Sequence, residues 1–451
     1  DAYGRVTQQT RHWRPLEREG PEHHLSYEWH SYGQVNTYHG AYGIVTEVRD
    51  TVGNDPVDGL VGHVLFSNPT YNIYGQVVSY RMGNGLRVGH TYEERRHTLE
   101  TITAGTAAGV FDYMDYRVDF DDLGNVTERV LSMGTGAQNN VLSETFSYDR
   151  LSRLQTADVG SRTAVDGVHN STYTLGHEYD NLGNIARRET LTSASNAKDW
   201  LDYDYSGSSS PHAVMGGSGA SAVAYAYDDA GRMTHRGGQE RVRWTGFGKV
   251  SEVLGSVADG KQSRSRFTHG AGFNRIVHTV EEDADGPDPD TDLDGTFSKT
   301  VRRTIYAAGL EQLETPTGSG GAWQTASTRC YLSTPVGTLG VAVFDDANDS
   351  FSRTWFLQDH LGSIIAHVKG VDDPATTGVD ERIAQTGGAT DPDVTTWHSY
   401  DAWGGRRSAS TWGFAAAITA VIADSVTERG FTGHEMLDEV GLVHMNGRIY
   451  D

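Results

Sequence analysis

A short pattern recurs along this chain without a fixed period: an aromatic residue, an aspartate, two variable residues and a glycine. It reads Phe120-Asp121-Asp122-Leu123-Gly124-Asn125, Tyr179-Asp180-Asn181-Leu182-Gly183-Asn184 and Tyr227-Asp228-Asp229-Ala230-Gly231-Arg232, with serine in place of glycine in Tyr148-Asp149-Arg150-Leu151-Ser152-Arg153. The aspartate can accept hydrogen bonds from backbone N–H groups a few residues on, and glycine enters the left-handed region without a Cβ clash, so each copy predicts a tight hairpin turn. The aromatic residue ends the incoming strand and faces away from the aspartate, since strand side chains alternate. Stacked hairpins therefore predict a ladder of aromatic rings. A chain that repeats one turn so often is built from one small unit, and its function should follow from the shape the units make together.

The copies starting at Phe120, Tyr148, Tyr179 and Tyr227 lie at unequal spacings, so extra hairpin length is tolerated between units. Asp1-Ala2-Tyr3-Gly4-Arg5 reads as a copy that has lost its first residue, and both ends are expected to be cut points within a longer protein. Further turn signals stand at Ser31-Tyr32-Gly33-Gln34, Ile73-Tyr74-Gly75-Gln76 and Gly83-Asn84-Gly85. The stretches 241–245 and 264–268 alternate polar and apolar residues, which predicts a sheet with one wet and one packed face. Residues 281–295, acidic and proline-containing, and 372–393, polar, predict surface loops. Residues 414–423 place Phe414, Ile418, Val421 and Ile422 at helical spacing, which predicts a short packed helix.

Composition narrows the function. With 37 basic against 60 acidic side chains the formal net charge is −23, and no run of Lys or Arg is present, which argues against a nucleic-acid backbone as partner. The acidity reads either as solubility alone or as an anionic inner wall suited to a basic cargo. The single Cys330 cannot form an internal disulfide and reads as a small buried residue. No uninterrupted apolar run reaches the ~20 residues that a membrane-spanning helix needs.

Candidate chemistry is thin. Asp290-Thr291-Asp292-Leu293-Asp294-Gly295 matches the first half of an EF-hand calcium loop, but the twelfth position, where a bidentate carboxylate belongs, is Val301. An irregular calcium site on Asp290, Asp292 and Asp294, joined by Asp283, Asp285 and Asp288, stands against a solvated acidic loop. The 19 histidines show neither His-Glu-x-x-His nor paired cysteine spacing for zinc. His360, His434 and His444 read as turn or core residues. No nucleophile elbow, phosphate loop or dinucleotide fingerprint is present, so no catalytic or cofactor-binding residue is assigned and no cofactor is expected.

The series of Tyr-Asp turns is joined by Gln358-Asp359-His360-Leu361-Gly362-Ser363, by Tyr400-Asp401-Ala402-Trp403-Gly404, and by Phe431-Thr432-Gly433-His434-Glu435 running into Gly441-Leu442-Val443-His444-Met445-Asn446-Gly447-Arg448-Ile449-Tyr450-Asp451. Together these resemble the Rhs, or YD-repeat, proteins and their repeat-associated core. The terminal stretch is the most specific. The residues that carry the resemblance are Tyr148, Asp149, Tyr179, Asp180, Gly183, Tyr227, Asp228, Gly231, Gly433, Gly441, Gly447, Arg448, Tyr450 and Asp451.

The resemblance implies an all-β fold, a spiral of antiparallel hairpins forming part of a hollow shell. It divides the chain into YD-repeat shell (1–254), continuing shell strands with the acidic insertion 281–295 (255–354), and the repeat-associated core (355–451). It implies a non-enzymatic container that sequesters a C-terminal toxin domain of the same polypeptide, secreted by a bacterium through type VI secretion or as part of an insecticidal toxin complex. An N-terminal plug or adaptor domain, or the secretion apparatus, would be a further partner. Family members release the toxin through an aspartyl protease whose Asp-Pro-x-Gly motifs lie beyond the Tyr-Asp at which this sequence stops, so no catalytic residue is carried over. Two other readings remain at this point: a cell-surface adhesion or carbohydrate-contact module, as in teneurins, and part of a self-cleaving protease shell. Calorimetric titration with calcium tests the one metal candidate; saturable heat marks a site on the aspartates near Asp292, and its absence ends the idea.

Overall fold

The computed structural model describes residues 64–450 except 107–112, 135–140, 166, 193–197, 208–209, 220–223, 238–239, 257–261, 284–298, 308–309, 318–321, 346–349, 370–393 and 414–425, and within 1–63 only the strand segments 8–12, 18–19, 25–26, 34–39 and 45–50. Among these residues the structure is antiparallel β throughout, with one 3-10 turn at Phe431–Gly433 and no α-helix. The expected helix at 414–423, the turn signal at 31–33, Asp290, Asp292, Asp294 and Asp451 all lie outside the described residues.

Each motif copy folds as one five-residue loop. In Asp121–Asn125 the Asp121 N–H donates to Asn125 O at 2.9 Å and the Gly124 N–H to Asp121 O at 3.1 Å. The Asp121 carboxylate closes the rest: Oδ1 accepts from the Leu123 and Asn125 N–H groups at 2.9 and 2.8 Å, and Oδ2 from the Asn125 side-chain amide at 2.8 Å. Asp149, Asp180 and Asp228 repeat this set, with Arg153 or Arg232 supplying the side-chain donor where Asn125 or Asn184 does so elsewhere. These donors, the fifth-position side chain foremost, hold Asp121, Asp149 and Asp228 below the usual carboxylate range. Gly124, Gly183 and Gly231 take φ of +88°, +90° and +75°, the left-handed region that glycine enters without strain. Where serine replaces glycine, Ser152 accepts φ +58°. Asp401 builds the same loop, and so do Asn72 and Asp359; Thr245–Lys249 keeps its backbone pair with the Thr245 hydroxyl as acceptor, so the turn is more frequent than the tyrosine-aspartate spelling suggests.

The aromatic residue has a second task. Tyr148 donates its hydroxyl to Val126 O at 2.7 Å, Tyr179 to Leu154 O at 2.8 Å and Tyr227 to Val214 O at 3.0 Å. Val126 and Leu154 are the first residues of the strands that leave the preceding turn, Val126–Met133 and Leu154–Arg162. Tyr92 and Tyr205 reach Val77 O and Ile185 O in the same way. Each hairpin is thus latched to the one before it. The expected aromatic ladder is therefore a ladder of hydroxyl-to-carbonyl bonds two strands apart; no ring-to-ring contact joins Tyr148, Tyr179 and Tyr227 among the described residues, and the Arg153 guanidinium lies 4.4 Å over the Tyr179 ring instead.

Strands follow one another in sequence order within two sheets, fifteen strands between Gln8–His12 and Gly216–Gly219, and thirteen between Tyr225–Tyr227 and Val394–Trp397. The two sheets meet edge to edge: the Tyr225 N–H donates to Met215 O at 3.1 Å beside the Tyr227 latch. The result is one meandering ribbon, and it folds back on itself. Apolar residues of the first sheet, from Val48 to Leu175, share a core with Leu310 to Val368 of the second and with Trp412. Trp355, fully buried, lies so close to Gly83 that a Cβ there would stand 2.6 Å from the indole.

The alternation at 264–268 holds in part: Arg266 and Thr268 are exposed while Ser265 and Phe267 are buried under the C-terminal segment, where Ser265 donates to Glu439 and His444 packs on the Phe267 ring. Arg264 is the exception, buried on the Arg266 side with its Nε 2.6 Å from Glu281 Oε2. Cys330 is buried, as expected.

The latches carry a simple test. Tyr148→Phe and Tyr179→Phe remove one hydroxyl each from partly buried sites and should each cost about 1 kcal/mol, adding in the double variant because the sites are separate. Urea denaturation measures this, and a double variant as stable as the parent would show that the latches do not hold the wall.

Candidate functional site

Two buried charge clusters sit where the C-terminal segments meet the ribbon. The first lies on the first sheet. Glu144 of Val141–Tyr148 is fully buried and accepts from Arg129 Nε at 2.7 Å and from Arg407 Nη2 at 2.8 Å. Arg129 also donates to Tyr400 O at 2.8 Å, and the Arg407 guanidinium lies 4.5 Å over the Trp412 ring. Burial alone would raise the Glu144 pKa, but the two guanidinium groups outweigh it and hold the carboxyl below its ordinary value. Trp403, at the tip of the Asp401 turn, donates its indole N–H to His177 Nε2 at 3.0 Å.

The second cluster lies under the segment 427–440, on the face formed by Gln262–His269, Arg275–Asp283, Lys299–Ala307, Leu310–Thr317 and Ala322–Thr334. His278, 1 % exposed, is its centre. Its Nε2 stands 3.1 Å from Ser265 Oγ and 3.2 Å from Glu439 Oε1, and its Nδ1 3.3 Å from Glu435 Oε1. Ser265 donates to Glu439, Tyr306 donates to Glu435 Oε1 at 2.7 Å, and Arg275 pairs with Glu435 Oε2. Arg302 pairs with Glu428. Beside it Glu311 accepts from Arg429 at 3.1 Å and from Tyr331 Oη at 2.8 Å.

Burial alone would push His278 down, yet its contacts with Glu435 and Glu439 outweigh that and raise it above its ordinary value. The same pairing overcomes burial at the two carboxylates, holding Glu435 far below the ordinary range and Glu439 down at about 2. Glu311 goes the other way, because burial exceeds the pull of Arg429.

Ser265, His278 and Glu435 have the connectivity of an acyl-transfer triad, but not its chemistry. Ser265 is fully buried with its hydroxyl donated to Glu439 and not to His278, and His278 lies between two carboxylates that favour its charged form over the neutral base a triad needs. His278, Glu428 and Glu435 also bring ligand atoms within 4.8 Å of one another. A metal ion does not fit there: Arg275 and Arg302 already neutralise Glu435 and Glu428, and Arg329 Nη1 stands 3.9 Å from Glu428. The arrangement is an ion-pair clamp between the C-terminal segment and the wall.

The residues singled out in the sequence fall into two places. Tyr148, Asp149, Tyr179, Asp180, Gly183, Tyr227, Asp228 and Gly231 form the turns and latches already described. Gly433 and Gly441, at φ +71° and +65°, turn the chain on either side of the strand Glu435–Leu437, and Gly447 closes the hairpin between Leu442–Met445 and Arg448–Tyr450, which holds Arg448 and Tyr450. His444 packs on the Phe267 ring, His360 bonds Tyr116 Oη at 2.7 Å and His434 bonds Thr432 Oγ1 at 2.8 Å. His278, Glu428, Glu435 and Glu439 carried no local signal, because the cluster joins residues some 160 positions apart.

No protein-family model matches the sequence, and no curated protein matches it. In space the chain is similar to crystal structures of TcdB2-TccC3: one superposes over 100 % of this chain and 22 % of the other at TM-score 0.65 and 15 % identity. A second, determined without its hypervariable C-terminal region, matches 95 % of this chain and 20 % of the other at TM-score 0.63 and 15 % identity. The Tc holotoxin pore of Photorhabdus luminescens matches 93 % of this chain and 19 % of its own at TM-score 0.61 and 15 % identity. The fold is that of the Tc toxin shell, as the sequence resemblance implied, and this chain spans about a fifth of the length of the chains it matches. No helix among the described residues is long and apolar enough to cross a membrane.

Two outcomes test the site. Glu435→Gln leaves the buried Arg275 without its counter-charge and His278 with Glu439 alone, and should cost about 3–5 kcal/mol in a denaturation experiment. The pH response runs the other way from His278 alone. Burial lowers His367 and His90 to about 4, His177 to about 4, His444 to about 3 and His398 to about 2. A histidine depressed in the folded state leaves stability intact above its unfolded value near 6.5 and removes it as pH falls, about 2 kcal/mol each by pH 5. His278, raised in the folded state, contributes below that value and loses its share as pH rises; the five outweigh the one. The denaturation midpoint should fall steeply from pH 7 to 5, and a flat profile would contradict the buried neutral histidines.

Proposed function

We propose that this chain is a wall segment and the inturned end of an encapsulating β-shell, a scaffold that holds a toxin domain of the same polypeptide out of contact with its surroundings until delivery. The observation that carries the reading is a single sequential ribbon whose end is folded back and clamped by two buried ion clusters. The chemistry of those clusters supports a structural part and not a catalyst, since each reactive-looking group is buried and neutralised by a partner.

Dimensions support a segment and not a whole container. At ~4.8 Å per strand the ribbon supplies roughly 130 Å of wall, and strands of this length stand roughly 20–30 Å tall. A domain of about 100 residues is about 35 Å across, so further windings are needed to cover it. Within the chain the two sheets are packed together where they overlap, and the cleft between Val77, Tyr92, Val336 and His360 measures about 420 Å3, far too small for a domain. The matched structures are about five times as long, and one is described by its hypervariable C-terminal region, which agrees with a constant wall followed by variable cargo.

Secretion from a bacterium, by type VI secretion or within a toxin complex, and a plug or adaptor as partner belong to this reading. An adhesion module would present exposed aromatic stripes on an outer face; among the described residues the exposed aromatic side chains Tyr74, Phe247 and Phe273 stand in turns instead.

Limited proteolysis of the polypeptide that carries this chain tests enclosure. The region downstream of Asp451 should resist a protease that digests the same region made alone, and should become sensitive once the wall is unfolded. Equal digestion of the enclosed and free forms would end the reading.

A further inference from the structure

The two rims of the ribbon differ. In an antiparallel meander every second connection lies at the same edge, and all the five-residue motif loops, from Asn72–Gln76 to Asp359–Ser363, fall on one rim. The opposite rim carries connections of very uneven length, from residues 83–86 to 284–298 and 370–393.

The motif rim is also apolar at its tips. The residue before the glycine position is Tyr74, Leu123, Leu151, Leu182, Phe247 and Leu361 in six of the loops, and each is exposed; Leu123, Leu151 and Leu182 are 79 %, 73 % and 62 % exposed. These side chains play no part in closing the turn, which backbone and carboxylate complete without them. Leu123, Leu151 and Leu182 follow one another every two strands, roughly 10 Å apart. The loops that carry them are tied together along the rim: Asn125 Nδ2 donates to Ser152 Oγ at 3.3 Å, Arg96 Nη1 to Asp121 O at 2.6 Å, and Gln76 Nε2 to His97 O at 2.9 Å. A level edge studded with apolar side chains costs solubility and is the mark of an interaction site.

One tip is already seated. Trp403 holds the same position in the Asp401 loop, and it lies on the face of the first sheet with its indole N–H on His177. This contact shows what a motif tip fits: the face of an antiparallel sheet at an inward-looking side chain.

We propose that the motif rim docks through its row of tips onto the face of another antiparallel β-wall. The source of that wall, a neighbouring winding of the same polypeptide, rests on the shell reading. A membrane surface fits worse, because Asp122 stands beside the Leu123 tip and the chain is strongly acidic. The uneven rim cannot form such a seam.

Single cysteines at Leu151→Cys and Leu182→Cys, in the full polypeptide, report the contact through their reaction with a small maleimide; the chain's own Cys330 is buried, and Val168→Cys, equally exposed on the opposite rim, is the reference. Labelling at 151 and 182 should be slower than at 168 by at least about tenfold, the factor imposed by an opening cost of about 1.4 kcal/mol, and independent of protein concentration. Rates equal to that at 168 overturn the proposal. So does protection that appears only with rising concentration, which marks a second copy, or only with phosphatidylcholine–phosphatidylglycerol vesicles, which marks a membrane. Proteolysis of the downstream region on the same samples separates the readings: an enclosed region with fast labelling sinks the rim contact alone, and a digested region with slow labelling sinks enclosure alone.

Discussion

A ribbon of this length stands on how its turns are satisfied. A hairpin loop leaves backbone N–H groups without partners, and the motif aspartate takes two of them on Oδ1 while its Oδ2 holds the fifth residue's side chain. The tyrosine then does for neighbouring hairpins what the aspartate does within one. Just before the aromatic residue the pairing slips, between Asp119 and Phe120, Ser147 and Tyr148, Glu178 and Tyr179, and Ala226 and Tyr227. Such bulges bend a strand and increase its twist. Similar slips stand at Val159/Gly160, Val280/Glu281 and His367/Val368 in pairs joined at the other rim, so the ribbon twists and curls along its whole length.

Curling brings distant parts of the chain together, and the C-terminal segments fix where. Ion pairs buried as deeply as Arg129–Glu144–Arg407 or Arg275–Glu435–His278 gain little net stability over apolar packing, because desolvation offsets most of the Coulomb attraction. What they supply is selectivity: a segment that seats one residue out of place leaves a buried charge without its partner. The apolar core between the sheets tolerates small slips; the two clusters do not. The clamp pairs residues far apart in sequence, so it can form only after the wall it closes.

The local parts of this fold were legible in the residues. Aspartate and glycine at fixed offset specify the turn because the bonds involved span four residues, and alternation specifies the strands. What escaped was set by residues that meet only after folding. The partner of Tyr148 is a carbonyl, and a carbonyl has no letter in the sequence. Arg264 alternates like an exposed residue and is buried with its guanidinium on Glu281 of the neighbouring strand. His278 stands where a core residue would be expected on its strand, and nothing near it announces Glu435 or Glu439. The terminal stretch from Phe431 onward was recognisable as a signature, while the reason for its residues, a clamp on the second sheet, was not.

The same reasoning explains where variation collects. Lengthening a motif loop would break the carboxylate's bonds to the second and fourth N–H groups and move the tyrosine away from its carbonyl on the preceding strand, so two interactions fail at once. A connection on the opposite rim takes part in neither, and closing a longer loop there costs only about 0.6 kcal/mol for each doubling of its length. Residues 284–295 of the acidic stretch and the polar stretch 372–393 fall between strands joined at that rim, Arg275–Asp283 to Lys299–Ala307 and Ile364–Lys369 to Val394–Trp397; Glu281–Asp283, expected in the surface loop, belong instead to the strand, where Glu281 is buried on Arg264. One edge is thereby held level by the chemistry of its turns while the other is free to diverge, and a wall that must meet another wall can do so only along the edge whose height is conserved by that chemistry.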